Sequence, residues 1–133
     1  MIPSRLVRDI DGKNIMPVVF SAGNSNLDCA GASSILCINS NAGGITCAAL
    51  DRQGVPQDYS SRGPGQCFFL HPFIGAPTYG VLPWGPGYRD FGPRGGGTSS
   101  TAPQVTGALA VLKAMYPQAD NTVLRVALAA GAK

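Results

Sequence analysis

The feature that most constrains this chain is a glycine run that opens directly onto a serine and a long apolar segment: Gly95-Gly96-Gly97-Thr98-Ser99-Ser100-Thr101-Ala102-Pro103-Gln104-Val105-Thr106-Gly107. Glycines without a Cβ permit close approach by a ligand and backbone angles closed to other residues. Beyond them, Val105, Leu109, Leu112 and Met115 with Ala102, Ala108 and Ala110 predict a helix from about Ser99 to Tyr116 that is apolar on most sides. Such a helix is expected to be largely buried, and Pro117 stops it. The first amides of a helix have no internal partner and its N-terminal end is partly positive, so an anion forming beside Ser99 would meet free donors. Ser99 is therefore a candidate for chemistry. The plain alternative is an N-cap, where serine and threonine are preferred in any protein.

The 133 residues leave room for one modest domain, and a hydrophobic content of 44% suffices to build its core. Charged residues make up only 13% and the formal net charge is +3, with no lysine or arginine run, so no feature draws in nucleic acid or a membrane surface. No apolar stretch approaches the roughly 20 residues of a spanning helix, and the N-terminus lacks the apolar core of a signal peptide. Many of the glycines and prolines fall between residues 54 and 97 with aromatics interleaved, which predicts a folded, loop-rich middle. Cys29, Cys37, Cys47 and Cys67 form an even set compatible with two disulfides in three pairings, or with buried free thiols. Their spacing and the single histidine do not make a zinc site.

Along the chain, Ile2, Leu6, Val7 and Ile10 recur at roughly helical spacing and stop at Asp11-Gly12. Ile15-Met16-Pro17-Val18-Val19-Phe20 is apolar without alternation, as a strand buried on both faces of a parallel sheet requires. Ser21-Ala22-Gly23-Asn24-Ser25-Asn26 follows, and small residues at the carboxyl end of such a strand suit the crevice of an open α/β sheet. Asn24 is thus a site candidate, its alternative being a turn asparagine. Ile45-Thr46-Cys47-Ala48-Ala49-Leu50 predicts a second buried strand, closed by the turn Asp51-Arg52-Gln53-Gly54 and followed by the polar loop Tyr59-Ser60-Ser61-Arg62-Gly63-Pro64. Around His71, Cys67 to Phe73 is apolar, and Gly80 to Trp84 is a short extended piece, both weakened as strands by proline. Asn121-Thr122 is expected to cap a last helix carrying Val123, Leu124, Val126, Ala127 and Leu128, with Gly131 ending it.

Three of these stretches, in this order, resemble the subtilisin-like (subtilase) serine peptidases: Val18 to Asn24, Ile45 to Asp51 with Tyr59 to Pro64, and Gly97-Thr98-Ser99-Ser100-Thr101-Ala102-Pro103. The resemblance implies an α/β fold, part of a three-layer subtilisin-like architecture with a mostly parallel central sheet and a buried helix after the nucleophile. The family's Gly-Thr-Ser-x-x-x-Pro motif places the nucleophile at Ser99, and its Ala-Gly-Asn sequence places an oxyanion-hole donor at Asn24. Substrate would lie near Ala22, Gly23 and Thr98, where little bulk intervenes. Gln104 stands where many members have histidine, a position without catalytic duty.

The resemblance spans residues 1 to 133 as the C-terminal portion of a subtilisin-like catalytic domain. The family's Asp-[Ser/Thr]-Gly and His-Gly-Thr motifs, which supply the orienting carboxylate and the base, stand upstream of the Ala-Gly-Asn strand and do not occur in this sequence. Asp9 and Asp11 read as surface residues, and His71 lies at the wrong place in the family's order. The expected function is serine-type endopeptidase chemistry through an acyl-enzyme at Ser99, in a partial domain. The alternative is an inactive protease-like module that binds peptide segments or a partner chain. Expected partners are a peptide or protein substrate and the missing N-terminal half of the domain. The chemistry requires no cofactor or catalytic metal; calcium is a structural ion in many members, but no ligand set for it can be assigned. Family habit and the cysteines imply secretion.

Overall fold

The structure is a computed structural model that describes residues 16–26, 44–63, 72–78, 82–83, 91–92 and 96–132. The proposed N-terminal helix tail with Asp9 and Asp11, three of the cysteines (Cys29, Cys37 and Cys67) and His71 lie outside the described residues. The architecture is α/β. Strands β1 (Val18–Ser21), β2 (Gly44–Leu50) and β3 (Ile74–Pro77) form a parallel sheet in the order β1-β2-β3. A short antiparallel pair joins β4 (Leu82–Pro83) to β5 (Phe91–Gly92). A single 3₁₀ turn, Thr98–Ser100, then leads into α1 (Thr101–Met115), and α2 (Asn121–Gly131) follows.

Register decides which side chains share a face. Val19 pairs with Ile45, Cys47 with Ile74, and Ala49 with Ala76, so these residues project to one side of the sheet. On that side Ile45, Cys47 and Ala76 meet Val105 and Leu109 of α1 and Leu124 of α2 to make the core. Full burial of side chains such as Ile45 and Leu124 contributes about 1.5–3 kcal/mol each. Thr46 and Ala48, pointing the other way, are buried too, as expected for a strand enclosed on both faces. Cys47 is a free thiol, which removes it from the two-disulfide arrangement that the even cysteine count allowed. Burial pushes its pKa up to about 12, so it stays protonated and behaves as a small hydrophobe.

Burial of α1 is confined to one stripe, through Thr101, Val105 and Leu109, whereas Val111 and Met115 are 59% and 62% exposed. Its apolar residues lie on most sides of the cylinder, but the sheet and α2 cover only the side that faces them. At α2 the cap also differs from expectation. Asp120 is the N-cap, its carboxylate accepting the Val123 N–H at 2.8 Å, and Asn121 is already the first helical residue. Gly131 closes the helix as predicted.

The strand β3 was not legible in the sequence. Gly75 lacks a side chain because Leu50 fills its place: a Cβ there would lie 2.6 Å from Leu50 Cδ1. Packing against the neighbouring strand, rather than β propensity, makes Ile74-Gly75-Ala76-Pro77 extended. No helix among the described residues is long and apolar enough to cross a membrane.

Candidate active site

All three parallel strands end on the same side of the molecule, and the residues that follow them converge there. Open α/β sheets bind ligands in this position because the chain leaves each strand and diverges, opening a crevice. After β1 come Ala22, Gly23 and Asn24; after β2 comes the loop with Tyr59, Ser60 and Ser61; after β3 comes Thr78. The 3₁₀ turn with Ser99 sits among them.

Two glycines make the close approach. Gly23 has φ of 106°, and a Cβ on it would lie 2.9 Å from Ser61 Oγ. Its C=O accepts the Ser61 N–H at 2.9 Å, and its N–H donates to Thr98 Oγ1 at 3.0 Å. Gly97 has φ of 101°, and a Cβ there would stand 3.0 Å from Asn24 Nδ2. Any larger residue would be strained by the left-handed backbone and would displace the asparagine.

Asn24 is fixed by its carbonyl. The Thr98 N–H can only donate, so the atom it meets at 2.8 Å is Oδ1, and the Thr98 hydroxyl reaches the same oxygen at 3.1 Å. Both N–H groups of Nδ2 therefore remain without an acceptor among the described residues, on an exposed side chain. Thr98 itself is 1% exposed, as is Ala22; both lie beneath the surface that Gly23 and Asn24 present.

The turn distributes its hydroxyls unequally. Ser100 Oγ donates to Gly97 C=O at 2.8 Å, and Thr101 Oγ1 donates to Thr98 C=O at 2.8 Å. Ser99 is exposed, and neither its hydroxyl nor its N–H is bonded to any described residue. The N-cap position belongs to Ser100, which makes no side-chain cap bond. The N-cap reading of Ser99 thus does not hold: in this turn the serines and threonines on either side are tied inward and Ser99 is left free.

The described part of the site places Ser99 next to the Gly97–Asn24 contact in a sequence ordered as in the subtilisin-like peptidases. The subtilase family model matches residues 4–132. The chain belongs to the subtilase family. It is thereby a member of a family of serine peptidases, and its parallel sheet with helices packed on it is consistent with the subtilase fold. No curated protein sequence matched.

In this subtilase, several residues hold the turn through contacts that the sequence does not show. Gln104 Nε2 donates to Pro77 C=O at 2.8 Å and to Ser100 C=O at 2.7 Å, strapping the end of β3 to the head of α1. Ser60 Oγ accepts the Ala49 N–H at 3.0 Å and anchors the loop after β2. Tyr59 Oη accepts the Gly97 N–H at 3.0 Å and lies 2.9 Å from Thr78 Oγ1. The only signal for these was the run of hydroxyl residues Tyr59-Ser60-Ser61, which reads as a polar loop until its partners across the site are known.

Proposed function

We propose that this chain is the nucleophile-bearing, C-terminal portion of a subtilisin-like endopeptidase catalytic domain, with Ser99 as the nucleophile and Asn24 as an oxyanion donor. The observation that carries the reading is the division of labour at the turn. Thr98 holds the Asn24 carbonyl so that its amide N–H groups stay uncommitted, while the neighbouring Ser99 hydroxyl and N–H are uncommitted as well. Ser99 Oγ would attack a peptide carbonyl carbon, forming a C–O bond as the carbonyl oxygen takes up negative charge. Asn24 Nδ2 and the Ser99 N–H would stabilise that oxyanion. Collapse expels the amine and leaves an acyl-serine, which water hydrolyses. The substrate backbone would cross the site over Gly23, with Ala22 and Thr98 supporting this ridge from beneath. In this reading the transfer calls on side chains and a backbone N–H, and on no cofactor.

The Ser99 proton must go to a base held by a carboxylate. In this reading both come from a polypeptide carrying the family's Asp-[Ser/Thr]-Gly and His-Gly-Thr motifs, joined to or associated with this chain in an extracytoplasmic setting. The test is covalent labelling by a fluorophosphonate, applied to the chain alone and to the chain with such a polypeptide. Labelling at Ser99 in the pair, lost in Ser99→Ala, supports the reading. Absence of labelling in both conditions overturns it.

A second reading, a protease-like module that binds a partner chain, is favoured by one surface. Between β3, α1 and α2 runs an apolar groove of about 560 Å³, lined by Ile74, Ala76, Ala108, Val111, Leu112 and Leu128. Unlabelled Ser99 together with a stable complex that Val111→Asp disrupts would favour this module over the enzyme.

A further inference from the structure

Gly97 sets the bend from which Thr98 and Ser99 depart, and because glycine has many other backbone angles open to it, this bend has to be held. Its peptide groups are held from the far side of the site by residues with no part in the proposed chemistry. The Gly97 N–H can only donate, so Tyr59 Oη accepts it at 3.0 Å. The Thr78 hydroxyl reaches Gly97 C=O at 3.3 Å and Tyr59 Oη at 2.9 Å, and either hydroxyl can donate across the second contact. The three bonds close a ring: Gly97 N–H to Tyr59, Tyr59 to Thr78, Thr78 back to Gly97 C=O.

Each member of this ring is itself anchored. Thr78 is 1% exposed and its N–H donates to Leu50 C=O at 2.9 Å, fixing it to the end of β2. Tyr59 C=O accepts the Asn26 N–H at 3.2 Å, joining the loop after β2 to the segment that carries Asn24. On the opposite side of the turn, Thr98 bonds to Asn24 and Gly23. Gly97 and Thr98 are therefore gripped between two sets of partners that approach from different strands. Chains of hydrogen bonds of this kind, partly shielded from water, hold a single geometry more firmly than their members would separately.

We infer that Tyr59 and Thr78 are positioning residues: through their ring of hydrogen bonds with Gly97 they fix the bend that presents Ser99 beside Asn24. This rests on the proposed role of Ser99, and it makes the hydroxyls of Tyr59 and Thr78 functional although neither touches substrate.

The test uses the full chain and the variants Tyr59→Phe, Thr78→Val and Thr78→Ser. Amide hydrogen exchange is read residue by residue with NMR, and Ser99 labelling by a fluorophosphonate is followed in the presence of the polypeptide that supplies the base. Tyr59→Phe and Thr78→Val are expected to speed exchange roughly fivefold at Gly97 and also at Thr98, which bonds to Asn24 and not to Tyr59. Val105 and Leu109 in α1 keep their protection. Thr78→Ser, which retains the hydroxyl, restores the parent rates, and labelling falls about as much as exchange rises. Acceleration confined to Gly97 reduces Tyr59 to a cap on one amide and overturns the inference. So does uniform acceleration through α1, which would mean general destabilisation, and so does labelling that Tyr59→Phe leaves unchanged. If Ser99 takes no label in the parent chain while the exchange pattern appears as expected, the positioning ring stands and the peptidase reading fails.

Discussion

Of the three glycines with positive φ among the described residues, Gly54 and Gly97 sit in turns that are built in opposite ways. The turn after β2 is self-contained: Asp51 Oδ1 accepts the N–H groups of Gln53 and Val55 at 2.9 and 2.8 Å, and Gly54 at φ of 82° faces open space. The turn before α1 draws on distant chain. Gly97 and Thr98 bond to Asn24, Gly23, Tyr59 and Thr78, partners 19 to 75 residues away, and Gly97 faces the Asn24 amide. The first turn serves to reverse the chain, and the second holds groups that stay unbonded. A turn satisfied by its own residues has nothing left over to act on a ligand, whereas one clamped from outside leaves Ser99 and the Asn24 amide free.

The contrast is open to test with the rate of Ser99 labelling in the presence of the base-bearing polypeptide. Asn24→Ala should have the largest effect, about 10²–10³ in acylation rate, a magnitude known for the corresponding donor of subtilisin itself. Gly97→Ala comes next, with about 10² lost, because a left-handed alanine that also pushes on Asn24 Nδ2 misplaces the donors. Gln104→Ala removes the strap between Pro77 and Ser100 and should slow labelling by roughly fivefold, with little change in global stability. Asp51→Ala should leave labelling unaltered and lower stability by about 1 kcal/mol, read as a shift in the urea midpoint. A large loss of labelling in Asp51→Ala, or none in Gly97→Ala, would erase the distinction between the two turns.

The same distinction explains what was legible beforehand. Asp51 to Gly54 reads as a turn from its residues alone, since the aspartate and glycine satisfy it locally. Strand β2 is equally plain, being apolar but for Thr46 and buried at six of its seven residues. Strand β3 escapes because its glycine exists to admit Leu50 and its proline stands at the strand's end, both consequences of a neighbour in space. The cap of α2 was misplaced by one residue: Asp120 and Asn121 have the same capping chemistry, and only the backbone direction shows which carboxylate or amide faces Val123. For α1, the apolar composition predicted a largely buried helix, yet burial depends on which neighbours are present.

By itself, the sequence marked the family and the candidate residues: Gly97-Thr98-Ser99 ahead of an apolar helix, and Gly23-Asn24 after an apolar strand, are short patterns whose meaning depends on residues next to one another. Tertiary structure decided which atoms are free to act. Whether the Asn24 carbonyl or its amide is tied down, whether Ser99 or Ser100 is spent on the turn, and what holds Gly97 in its bend all depend on hydrogen bonds between chain segments brought together at the ends of three strands. A hydrogen bond is directional and short, so its existence follows from where two distant backbones come to lie, and no local pattern of residues encodes that.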